Sequence, residues 1–384
     1  MIPNYLREAA ELQDTLRALR EAFHAEPELG NHEFQTASRI EKALHALGIE
    51  TERVTETAVV ATLRGGRPGP TAALRADMDA LPVQEATGAP FASRVPGVMH
   101  ACGHDVHITA ALGAAMLLAR HRESLPGSVR FLFQPDEEGD GGAKRMIEAC
   151  CLDGVDAVFG AHVSPELPAG HTAFRYGKFY AASDMFHITV HGKGAHGAER
   201  EKGIDAIGAA AQLVTRLLAL PERFPGERSV VTVGSLHAGT AGNILADTAE
   251  LDGILRTLGQ DTRAAMKSYL LDACQIVENL TGVTIDCAIR ESYPGVVNHD
   301  AHTARAEEAA QKLLGAENVH RIEAPSMTTE DFGYFLLERC GTYYHIGAGC
   351  EVPLHNAAFL PTADCAVTAA AVHAAVLHSY LLFR

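Results

Sequence analysis

The spacing of apolar residues divides the chain into alternating helical and extended segments. Residues 4–24 carry Leu6, Leu12, Leu16, Leu19 and Phe23 at helical intervals. After Pro27 and Gly30 a second helix follows, with Ile40, Leu44 and Leu47 on one face, ending at Gly48. Strand-like runs come next, at 58–63, 71–74, 129–133 and 157–163, with a long helix over roughly 104–121 among them. Apolar strands alternating with helices predict an α/β fold: a mixed, mostly parallel sheet with helices on both faces. Near residue 183 the pattern changes. A strand at 186–190, a helix at 203–219, strands at 229–236 and 244–255, a helix at 261–280 and a strand at 283–289 give the order βαββαβ, that of a small ferredoxin-like sandwich. The first pattern resumes after Pro294, with a helix at 301–314, a strand at 342–346 and an Ala-rich helix at 362–382. The expected organisation is a discontinuous domain, residues 1–182 and 293–384, interrupted by an inserted domain at 183–292.

The length of 384 residues agrees with two domains rather than one core. With 47% hydrophobic and 21% charged residues and no low-complexity tract, the composition is that of an ordinary globular protein. A net charge of −16, with both signs mixed along the chain, argues against nucleic acid and anionic membrane as partners. No apolar run reaches about 18 residues, so no membrane span is expected. The first eight residues lack a basic stretch followed by an apolar one, so no signal peptide is expected either. Eight scattered cysteines without a CxxC pair suggest reduced thiols and a cytoplasmic location.

Chemistry concentrates in a few places. In Met99-His100-Ala101-Cys102-Gly103-His104-Asp105 a thiol and an imidazole stand two residues apart at the mouth of a helix, and Gly103 permits a turn that points both the same way. Alone, each reads as a buried cysteine or a capping histidine. Together they suit zinc, nickel or manganese-like ions, with Asp105 as a partner behind them. His107, one turn on, reads as packing. In Phe133-Gln134-Pro135-Asp136-Glu137-Glu138-Gly139-Asp140-Gly141-Gly142 a strand ends and a Gly-rich loop opens. The run serves as a plain turn, or as two adjacent carboxylates pointing to different sides, one on a metal and the other taking a proton from water that the metal acidifies. His162 follows an apolar strand and His355 lies in a late loop; a single histidine in either place is more often structural, but the two complete a set of five ligands. Asp77 and Asp79 close a strand, as turn carboxylates or as groups orienting a ligand.

These motifs resemble the aminoacylase/carboxypeptidase superfamily of dinuclear metallopeptidases, and within it the amidohydrolases that include hippurate hydrolase, auxin-conjugate hydrolases and N-acetyl-diaminopimelate deacetylases. The markers run nearly the whole chain: Phe23–Leu29, Arg75–Pro82, Met99–Asp105, Gln134–Ala143, Gly192–Ala198, Gly239–Asn243, Thr329–Phe332 and Leu354-His355-Asn356. The resemblance implies metal ligands Cys102, His104, Glu138, His162 and His355, holding two divalent ions (zinc, manganese, nickel or cobalt). It implies Glu137 as general base and His196 as the group that reaches a partner subunit's site and polarises the scissile carbonyl. Asn243 and Arg256 would grip the substrate, Arg256 through its carboxylate, and Asp77 and Asp105 would stand behind the ligands. The expected reaction is hydrolysis of N-acyl amino acids by a homodimer joined through residues 183–292. Dipeptidase or carboxypeptidase activity, and a non-catalytic binding protein, are the alternatives. A cysteine hydrolase using Cys102 and His104 is disfavoured, because groups two residues apart rarely meet in good geometry. The sequence departs from the family where Arg200-Glu201 replaces a Pro-His pair and Ile244-Leu245-Ala246 replaces Val-Ile-Pro, which leaves substrate identity open. Arg75 stands where many superfamily members have a metal-binding histidine.

Overall fold

The computed structural model describes residues 2–382. It divides into two compact units. The first runs to Gly177 and adds Val297–Ala324 and the chain from Asp331; the second is Lys178–Val296 with Pro325–Glu330. The inserted unit therefore begins at Lys178 rather than 183, ends at Val296 rather than 292, and takes in a short later segment.

The first unit is built on a sheet of eight strands, in the order Thr51–Arg53, Val59–Arg64, Pro126–Gln134, Arg67–Asp77, Ala157–Ser164, Cys340–Gly347, Thr172–Phe174, Val319–Arg321. The four central strands are mutually parallel. Antiparallel pairs flank them on both sides, so the sheet is mixed. Every residue of Ala157–Ser164 is buried, although its side chains alternate between the two faces, so both faces are covered. The short strands Thr51–Arg53, Thr172–Phe174 and Val319–Arg321 carry too few residues to show a period and went unseen in the sequence.

Helix 4–24 proves to be two, Tyr5–Ala10 and Gln13–Ala25, because Leu12 leaves the helical region at φ −96° and ψ 2°. The helix Ala363–Leu382 is long and apolar enough, by length and composition, to cross a membrane, but nearly all of it is buried in the first unit, where it packs on His104–Arg120. Its histidines are satisfied: Tyr344 Oη meets His373 Nδ1 at 2.6 Å, and Tyr5 Oη meets His378 Nδ1 at 2.7 Å.

The second unit has its own core around Ile188, Leu213, Leu251 and Met266. Its four-stranded antiparallel sheet has the order Ser229–Ala238, Thr248–Thr257, Ala182–His191, Thr284–Glu291, with helices Ala206–Leu218 and Gln260–Thr281 in the crossovers. That is the ferredoxin-like order. The strand expected over 244–255 is broken. Ile244–Leu245 pairs with Ala195–His196 in a separate ribbon, and only Thr248–Thr257 joins the sheet.

Candidate metal centre

Ligands in parallel sheets collect beyond the carboxyl ends of strands, and three such ends meet here. Arg67–Asp77 delivers Asp77, Pro126–Gln134 delivers the loop with Glu137 and Glu138, and Ala157–Ser164 delivers His162. The helix His104–Arg120 begins beside them. Its cap, Gly103, has φ +86°, and a Cβ there would lie 2.6 Å from Val163 Cγ2, so only glycine makes this turn. Of four non-glycine residues with left-handed backbone among those described, two stand at this site: Asp136, just before Glu137, at φ +56°, and His355 at +63°. Such conformations persist where surroundings over-determine them. Asp136 N–H donates to Glu33 at 3.0 Å, and His355 N–H donates to the Ala101 carbonyl at 2.8 Å, tying the late loop to the Cys102 turn.

The five expected ligands converge. Cys102 Sγ lies 3.3 Å from Nε2 of both His162 and His355. His355 Nε2 lies 3.1 Å from Glu138 Oε1, close but without hydrogen-bond alignment. The donor atoms of Cys102, His104 and His162, those of Cys102, Glu138 and His355, and those of His104, Glu137 and Glu138 each fall within 4.8 Å of one another. The adjacent glutamates thus reach one neighbourhood instead of pointing to different sides.

The electrostatics are those of a site made for positive charge. Burial, then Glu138 and Glu137, push the Cys102 thiol well above its usual range, the reverse of what a cysteine nucleophile needs. Burial would lower His104, but Asp77 and Asp79 overrule it and raise it to about 10. Glu138 raises His355. Burial keeps His162 well below its ordinary value, so it is a neutral imidazole.

The supporting groups differ from expectation. Asp79, not Asp105, backs the ligands: one oxygen meets His104 Nδ1 at 3.2 Å and the other accepts from Glu138 N–H at 2.9 Å. Asp105 turns away to Arg20 and His24, each at 3.0 Å, because it faces the first helices across the buried start of its own helix. Asp77 binds Arg75 at 2.6 Å and His107 at 2.5 Å, so His107 is more than packing. Its place three residues after His104, on the same helix side, was the available signal. Arg75 is itself occupied, by Asp77, Gln134 and Asp331.

His196, Asn243 and Arg256 lie in the second unit. The first two are brought together: His196 pairs with Ile244, and Gly197 N–H donates to the Asn243 carbonyl at 2.8 Å. Both side chains are exposed. Arg256, half-buried, donates to the Ser183 hydroxyl, away from that ribbon.

The chain is 37% identical over 386 residues to thermostable carboxypeptidase 1 of Saccharolobus solfataricus, covering 97% of each. It is 37% identical over 352 residues to the N-acetyl-L-cysteine deacetylase of Bacillus subtilis, covering 91% of this chain and 84% of the relative. Among solved structures, a Bacillus subtilis protein described as a dinuclear metal-binding peptidase of family M20 superposes with a TM-score of 0.88 at 33% identity, covering 98% of this chain and all of that one. Residues 73–379 match one family throughout, and with them the chain belongs to peptidase family M20/M25/M40.

Proposed function

We propose that this chain is a metal-dependent amidohydrolase that cleaves N-acyl amino acids. One observation carries the reading: thiol, imidazole and carboxylate donors from four separate segments converge, with the buried His104 Nε2 left without any hydrogen-bond partner. An orphaned, buried nitrogen of that kind fits a missing cation, and the donor set suits zinc-, manganese-, nickel- or cobalt-like ions. Cys102, His104, Glu138, His162 and His355 would hold two of them. When bound, the ions would polarise the amide carbonyl and make water acidic enough to attack near neutral pH.

The remaining work falls to the chain. Glu137, buried beside His104 and Glu138, takes the proton from the attacking water and returns it to the amine as the C–N bond breaks. His196, supplied by a second copy of the chain, donates to the carbonyl oxygen as negative charge develops there. Arg256 and Asn243 hold the amino-acid half, the guanidinium fork matching its carboxylate. This requires a homodimer through the second unit. A reducing compartment such as the cytoplasm suits the eight cysteines, all of them free thiols.

The test is protein stripped by chelator, reloaded with ions and assayed on a panel of N-acyl amino acids. Glu137→Gln should lower kcat by about 10²–10⁴-fold with ion content unchanged. Silence across the panel, or a Glu137→Gln variant close to wild type, refutes the reading. A second reading, cleavage of peptides from the carboxyl end, is favoured by the relative named a carboxypeptidase. It uses the same residues, and the ratio of rates on acetyl-amino acids and dipeptides separates the two. Full activity from a monomer, sized by light scattering, counts against the role given to His196.

A further inference from the structure

The ring nitrogens of His107 are both engaged, and the partners fix where its proton sits. Val163 N–H donates to Nε2 at 2.9 Å. A backbone N–H cannot accept, so Nε2 carries the lone pair and the proton is on Nδ1, which donates to Asp77 Oδ1 at 2.5 Å. The other Asp77 oxygen accepts from Arg75 at 2.6 Å, and Arg75 is anchored by Gln134 at 2.9 Å and Asp331 at 2.8 Å. On the far side, the carbonyl of the same Val163 accepts from His162 Nδ1 at 2.7 Å. That leaves His162 Nε2 as the lone-pair atom, the one facing Cys102 Sγ. The His107 and His162 rings meet edge to face, centroids 4.7 Å apart. Arg75, Asp77, His107 and His162 are all buried, so water does not compete for these bonds.

We propose that His107, set in its tautomer by Asp77 and Arg75, is a positioning residue. It clamps the His162–Val163 segment so that His162 presents Nε2 to an ion. The chain of bonds runs from a permanently charged guanidinium through carboxylate, imidazole and peptide to the candidate ligand. The inference rests on the metal-hydrolase reading above and extends it to groups that touch neither ion nor substrate. Groups that orient a ligand in this way typically change metal affinity by about 10–100-fold when removed.

The experiment compares wild type, His107→Leu and His107→Gln as full-length apo-proteins, titrated with zinc against a chromogenic chelator, with far-UV circular dichroism on each. Leucine fills the space but makes neither bond. Glutamine can accept from Val163 N–H and donate to Asp77. Expected is zinc affinity lower by about 10–100-fold in His107→Leu, with an unchanged spectrum, and recovery of most of the loss in His107→Gln. Wild-type affinity in His107→Leu overturns the proposal. Equal loss in both variants also overturns it, since ring packing would then be the whole role. If His107→Leu does not fold, nitrogen-15 shifts of the wild-type histidines decide: His107 must be the Nδ1–H tautomer, and an Nε2–H tautomer refutes the relay. Wild-type protein that binds no zinc overturns the proposed function and this inference with it. Wild-type binding beside an unaffected His107→Leu overturns this inference alone.

Discussion

Replacing Arg75 by methionine isolates the cost of the buried charge network beneath the site. The guanidinium is 2% exposed and is shared among Asp77, Asp331 and Gln134 at 2.6–2.9 Å. Methionine keeps much of the volume and removes every donor, leaving two buried carboxylates facing one another's neighbourhood without their cation. Breaking a buried pair by deleting one partner typically costs about 3–5 kcal/mol. The first unit holds about 260 residues, and at about 2.1 cal/mol/K of unfolding entropy per residue the loss lowers its melting temperature by roughly 5–9 °C. The assay is calorimetry in chelator, so that ion binding adds nothing. Acidity supplies an internal control. Burial pushes the Asp77 carboxyl up, but Arg75 first, then His104 and His107, hold it well below its usual value of 3.8. A carboxyl lowered in the folded state stabilises above its unfolded value and loses that contribution as pH falls through the folded one. Without Arg75 burial gains weight, Asp77 accepts a proton more readily, and protonation relieves the variant. Its deficit should therefore be largest near pH 7 and shrink toward pH 4. Adding Asp331→Asn should recover part of it. A variant melting within a degree of wild type, or a deficit indifferent to pH and to Asp331→Asn, would refute the argument.

Other outcomes follow from the same geometry. Asp79→Ala removes the carboxylate that meets both His104 and the Glu138 amide, and should weaken zinc binding by about 10–100-fold in a chelator competition, with the fold intact by circular dichroism. His104 in the ion-free protein is raised from 6.5 to about 10, so its contribution to stability is full below pH 6.5 and lost as pH climbs to about 10. The ion-free melting temperature should fall across that window while zinc affinity, competing with the same proton, rises; a flat affinity over those pH units would contradict the assignment of His104 as a ligand. Gly103→Ala combines left-handed backbone with a contact of 2.6 Å to Val163, and should cost about 1–3 kcal/mol in denaturant unfolding and loosen ion binding, whereas Gly154→Ala, left-handed but with nothing nearby, should leave ion binding unchanged.

Much of this was legible along the chain because it depends on local order. The period of apolar residues located the parallel strands at 71–74, 129–133 and 157–163 and the antiparallel one at 58–63 to within a few residues, and separated the βαββαβ insertion from its host. The donor types at 102, 104, 138, 162 and 355 are themselves sequence facts, and the thiol-imidazole pair flanking a glycine pointed to a metal before any contact was known. What periodicity could not show was partner choice. Asp77, Asp79 and Asp105 are one residue type at three nearby positions, yet one braces Arg75 and His107, one meets His104 and Glu138, and one turns to Arg20 and His24. The strands Thr172–Phe174 and Val319–Arg321 and the division of 244–255 between two sheets escaped for a related reason: each exists only because a distant segment supplies its hydrogen bonds.

By itself the sequence determined which long segments are helical or extended, that a βαββαβ unit interrupts the first one, and which side chains are chemically able to hold ions and move a proton, because backbone propensity and donor chemistry belong to each residue and its near neighbours. Tertiary structure alone decided which carboxylate orients which imidazole, where the proton of His107 sits, and that donors from four segments share one small volume. Those facts depend on distances of a few ångströms between residues far apart in the chain, and no local pattern encodes such distances.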